Sequence, residues 1–162
     1  MRRKIVVVAA VLTGAWLLIM GAPPSLVLPP AERAHYETLC NTESFSGRAI
    51  GIAAVEPPES RAFMALAAHP RGGSAFKYLL LRGTMAGRIY ALVGLRRTNP
   101  AFFSVAVQPF RLWPGNVATT FGCVISSSPV KTVVDSDEPL DVIDGGYTTL
   151  FFEWEALTRP LT

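Results

Sequence analysis

The chain is poor in the residues that carry most enzyme chemistry. Its 162 residues hold two cysteines, Cys40 and Cys123, and two histidines, His35 and His69. No CxxC pair occurs, which excludes a thiol–disulfide redox site of that type, and four scattered sulfur and imidazole ligands do not form a zinc spacing. Neither GxGxxG nor GxxxxGK[ST] is present. The stretch between Gly83 and Gly87 therefore reads as a turn and not as a phosphate cradle. No G-x-S-x-G elbow surrounds Ser126, Ser127 and Ser128, so a serine hydrolase site has no local support. Internal repeats, low-complexity tracts and heptads are also missing. These absences leave no catalytic and no cofactor-binding residue to name, and no cofactor to expect.

Charge is missing from one long stretch. Residues 5–22, behind Arg2, Arg3 and Lys4, contain no charged residue and a single polar side chain, Thr13. Eighteen helical residues reach about 27 Å, close to the roughly 30 Å of a hydrocarbon core. The stretch reads as a hydrophobic N-terminal helix, either a signal-anchor or a cleaved signal peptide within residues 1–28. Basic residues ahead of it place the remainder on the non-cytoplasmic side; cleavage would give a periplasmic or secreted protein.

The basic balance of the whole chain, fifteen Lys and Arg against twelve Asp and Glu, comes from those first residues. Beyond residue 30 the charges balance, which argues against nucleic acid as a partner. In an oxidising compartment the two cysteines suggest a Cys40–Cys123 disulfide joining the start of the domain to its later half.

Residues 29–41 read as a linker and residues 42–158 as a single, mostly β domain. Residues 45–55 form a first strand, and residues 60–69 have the best helical pattern outside the leader, with Phe63, Leu66 and Ala67 on one face. Runs at 74–82 and 88–96, rich in Leu, Tyr, Val and Ile around a glycine-bounded loop, suggest a hairpin. Residues 101–112 alternate in the middle, and 117–126 form a further strand around Cys123. The sum is a mainly β fold: a small antiparallel β-sandwich or incomplete barrel with one short helix, preceded by the hydrophobic N-terminal helix.

The densest polar group is Asp135, Asp137, Glu138, Asp141 and Asp144. Asp135, Asp137, Asp141 and Asp144 are weak candidates for a hard cation such as Ca²⁺. They fail the EF-hand pattern, because the fifth position is Pro139 and the glycine position is Leu140. Residues 147–157 close the domain as an alternating strand, with Phe152 and Trp154 on one side and Phe151, Glu153 and Glu155 on the other. The function expected from this pattern is a membrane-tethered or exported, non-enzymatic binding or assembly-subunit module of the cell envelope. Its partner would be a protein or a membrane assembly, with contact to the membrane through residues 5–22. The alternatives are an exported hydrolase with a carboxylate or metal site and a soluble small-ligand-binding barrel.

Overall fold

A computed structural model of the chain describes residues 23–24 and 28–135. Helices dominate. In order they are α1 (Pro30–Asn41), β1 (Ser44–Ile50), α2 (Pro58–Ala68), α3 (Gly72–Arg82), α4 (Met85–Thr98), α5 (Pro100–Ala106), α6 (Gln108–Arg111), β2 (Asn116–Gly122), β3 (Val124–Pro129) and α7 (Val130–Val134). The three strands make one open sheet in the order β1-β2-β3, with β1 parallel to β2 and β3 antiparallel to it. The expected β-sandwich or barrel is thus corrected to a mostly helical domain carrying a small open sheet, and a closed ligand-holding barrel goes with it.

The correction has a physical source in α4. Every residue from Ala86 to Leu95 except the half-buried Arg88 is buried, so the helix is apolar on nearly all sides. A helix of that kind shows no 3.6-residue stripe, and its Ile, Tyr and Val content imitates a strand. The supposed hairpin over 74–82 and 88–96 is instead the antiparallel pair α3 and α4. Its turn is an N-cap: the Thr84 hydroxyl accepts from the Gly87 amide at 3.1 Å. The strand expected over 101–112 is α5 followed by α6. Asn99 caps α5, its Oδ1 accepting from the Phe102 amide at 3.0 Å, and Pro100 stands in the first turn, where its missing amide costs nothing.

Residues 29–41, expected as a linker, hold a helix that packs into the core through Tyr36 and Leu39. Gly87 lets α4 approach it closely, since a methyl group there would lie 2.2 Å from the Leu39 carbonyl oxygen. Around α4 stands a ring of aromatics. Phe45 meets Tyr90 edge-on at 4.8 Å between centroids, Phe63 lies 5.8 Å from Tyr90 and 5.5 Å from Phe76, and Phe121 reaches Phe45 at 6.1 Å.

Among the described residues no helix is long and apolar enough to cross a membrane. The longest, α4, has 14 residues, about 21 Å, and carries Arg88, Arg96 and Arg97. The span expected over residues 5–22 lies outside the described residues. Signal-anchor tethering, contact with a membrane through that span and a membrane location are corrected on the first ground: the described residues hold no membrane-crossing helix.

Candidate functional site

The two edges of the sheet differ. β1 presents Ser46 to the helices, and the Tyr90 hydroxyl from α4 meets it there. That hydroxyl accepts from the Ser46 amide and donates to the Ser46 carbonyl, both at 3.0 Å, in the two-way pattern a neighbouring strand would supply. α2 completes the cover. The Ser60 hydroxyl donates to the Gly47 carbonyl at 2.9 Å, and the Ser46 hydroxyl donates to Glu59 Oε1 at 2.6 Å. Burial is the main force on Tyr90, pushing its hydroxyl well above the ordinary tyrosine range, while hydrogen bonds to Ser60 and Ser46 pull it partly back. Tyr90 is held as a neutral donor and acceptor, and the β1 edge is closed.

The β3 edge is open among the described residues, where β3 pairs with β2 alone. Gly122 and Cys123 form a two-residue hairpin loop closed by the pair Phe121 and Val124. Positive φ at Gly122 (53°) supplies the twist such a tight turn needs. With that closing pair hydrogen-bonded, the antiparallel ladder alternates, so Thr120–Ile125 and Ala118–Ser127 are the pairs without mutual backbone bonds. The amides and carbonyls of Ile125 and Ser127 consequently face away from β2, toward the open edge. From Val124 to Pro129 there is no charge. Of the usual protections of an edge strand, charge and bulges are absent from β3, while Pro129 ends it.

Exposed apolar side chains gather at the same end of the sheet. The Gly51 amide donates to the Gly122 carbonyl at 2.7 Å, which holds the turn after β1 against the hairpin tip. Ile52 at 98% and Ile125 at 80% are almost wholly exposed, and Val55 and Val124 are more than half exposed. Behind the strand, the hydroxyl of Thr119, buried on the core side of β2, lies 2.8 Å from the Ser126 hydroxyl and 3.3 Å from that of Ser128. Ser126, Ser127 and Ser128 make up half of β3.

The residues singled out in the sequence fare differently. Cys40 and Cys123 are both free, and the expected disulfide is corrected. Cys40 sits half-buried on α1, facing Tyr36 one turn earlier, whose buried hydroxyl has no well-aligned partner; burial pushes the Cys40 thiol and the Tyr36 hydroxyl upward. Cys123 stands exposed at the hairpin tip. Asp135 lies 2.8 Å from Arg111 Nε, a charge pair without the alignment of a hydrogen bond. Asp137, Asp141 and Asp144 lie outside the described residues. Among the described residues no three His, Cys, Asp or Glu side chains gather to hold a metal. His35 is half-exposed on α1. His69 caps α2, and its Nδ1 accepts from the Arg71 amide at 3.1 Å. Trp113 is exposed, and Trp154 lies outside the described residues.

The open edge was missed because its signal is weak in sequence: a short, serine-rich, uncharged run ending at Pro129 resembles a loop as much as a strand. Comparison with protein-family models, with curated proteins and with solved structures finds no match to this chain.

Proposed function

We propose that the domain is a protein-binding module that takes an extended strand of a partner protein along β3. The observation that carries this reading is the contrast of edges. Tyr90 caps one at Ser46, while along the other Ile125 and Ser127 have no backbone partner among the described residues and stand beside exposed apolar side chains. Strand addition draws affinity from main-chain hydrogen bonds and specificity from alternate side chains. Uncharged β3 would favour a segment with β-branched or aromatic residues and without charge at its centre. An envelope assembly tethered by the N-terminal span is not part of this reading.

Selection of displayed peptides on the full chain tests it, with counter-selection on a Ser127→Pro chain. Proline at 127 deletes an outward amide and leaves the β2 ladder intact, a change an edge strand tolerates. The expected result is a family of peptides with alternating apolar residues that bind the parent and not the variant. Peptides that bind both chains alike, or none at all, would dismiss the open edge as a recognition surface.

A further inference from the structure

We propose that the strand taken up along β3 is β3 of a second copy of this chain, paired antiparallel about a two-fold axis at Ser126. The inference rests on the open-edge reading and names the partner of that edge. Among the residues of β3 that keep an amide, those facing the open edge are Ile125 and Ser127, and they flank Ser126 symmetrically. An axis at Ser126 sets Ile125 of each copy opposite Ser127 of the other, and each such pair exchanges both of its amide–carbonyl bonds. Neighbouring two-fold registers are poorer. An axis at Ile125 sets Ser127 against Cys123 in the turn, and an axis at Ser127 sets Ile125 against Pro129, which has no amide.

Charge selects a second copy as the occupant. A two-fold axis brings a strand against itself, so a charge near the axis would meet its own sign. Val124 to Pro129 carry none, and Lys131 stands beyond the strand end, so its two copies lie at opposite ends of the ladder. β3 also has the character its own edge favours, β-branched Val124 and Ile125 followed by an uncharged centre. Ile125, 80% exposed in one copy, lies beside the small Ser127 of the second, with the two Ile125 side chains diagonal neighbours across the axis. The joined sheet runs β1-β2-β3-β3-β2-β1, and each end is a β1 capped at Ser46 by the Tyr90 hydroxyl. Pairing through β3 therefore closes at a dimer and does not grow into a fibre. A single strand-to-strand ladder sits at the small end of interfaces, below about 1,200 Å² in total, so the dimer should dissociate on dilution.

Velocity sedimentation of the full chain reads the equilibrium, and cysteine cross-linking reads the register. In a Cys123→Ser background, Ser126→Cys places two thiols in a pair without mutual backbone bonds, at a Cα separation of about 4.5 Å, within disulfide reach. Val124→Cys, on the same side of the strand, leaves its two copies about 13 Å apart and serves as the control. The expected result is a sedimentation coefficient that rises with concentration, and cross-linking by oxidised glutathione at Ser126→Cys and not at Val124→Cys, located by peptide mass. Ser127→Pro, which deletes one amide on each side of the axis, should weaken dimerisation by at least about tenfold with an unchanged circular dichroism spectrum. A parent that stays monomeric up to about 1 mM, with no preference for cross-linking at Ser126→Cys, would overturn the inference. The open edge would still stand if that monomer bound selected peptides that Ser127→Pro rejects, and without such peptides both readings fall. A dimer that Ser127→Pro does not weaken would put the contact elsewhere and overturn the inference as well.

Discussion

The hydroxyl of Tyr90 stands in for a strand against Ser46, giving and receiving one hydrogen bond with the backbone of the same residue at 3.0 Å each way. Few side chains can do this. A phenol reaches across the width of a helix–sheet contact and carries both a donor and an acceptor on one atom. It ends the sheet at β1 and fixes α4 against it. Growth of the sheet is left to β3.

Tyr90→Phe should separate these roles. The ring contacts with Phe45 and Phe63 remain, while the Ser46 amide and carbonyl lose their partner in a buried place. The expected loss is about 1–3 kcal/mol in a denaturant titration, with faster amide exchange at Ser46. An unchanged midpoint would mean that water or a backbone shift replaces the hydroxyl.

Alanine at Gly87 or Gly94 should also destabilise, against the gain of up to about 1 kcal/mol that helix propensity alone would give. At Gly94 the added methyl would lie 2.4 Å from carbons of the Phe76 ring, and Phe76 is fully buried. At Gly87 it would meet a backbone carbonyl at 2.2 Å, which cannot rotate away. Overpacking of this kind costs about 1–3 kcal/mol, and the melting temperatures of both variants should fall, more so for Gly87→Ala.

Stability should decline in alkali. Burial holds Cys40, Tyr36 and Tyr90 above their ordinary values, so the folded state keeps protons that the unfolded chain releases. Their contribution is complete below the unfolded values, near about 8.5 for cysteine and 10 for tyrosine, and is lost progressively as the pH climbs past them. Denaturation midpoints measured from pH 7 to 11 should be flat at first and then fall above about pH 9. A midpoint that rises over that range would contradict the buried neutral hydroxyls.

The cysteines should behave as two unrelated thiols. Cys123 is exposed and should alkylate rapidly in the native protein; Cys40, half-buried with its thiol pushed upward, should react much more slowly until the chain unfolds. Cys123→Ser should change stability by no more than about 0.5 kcal/mol. Intact mass after native and denaturing alkylation distinguishes this from a disulfide, which would block both sites.

Much of the local structure was legible where one face of an element is wet. The α2 stripe of Phe63 and Leu66 shows as a helix, and the start of β2 shows as a strand, because burial there follows a regular period. α4 erased its own period by being buried all round, and α5 and α6 were hidden by Phe103, Val105 and Val107, which alternate as in a strand. Their boundaries were nonetheless written in the chain. Thr84 and Asn99 are capping residues, and Pro30, Pro58 and Pro100 open helices although proline pairs at 29–30 and 57–58 resemble stops. The closed β1 edge was not legible at all, since Tyr90 and Ser46 lie 44 residues apart and meet only through the packing of α4.

Residue-resolved amide exchange on the complex with a selected peptide tests the open edge most directly. The register assigns outward amides to Ile125 and Ser127 and inward ones to Val124, Ser126 and Ser128. Saturation with the peptide should slow exchange at Ile125 and Ser127 by at least about tenfold and leave Ser46, already held by Tyr90, unchanged. Protection that appears at Ser46, or that is spread over the helices with Ile125 and Ser127 still exchanging freely, would contradict strand addition at β3.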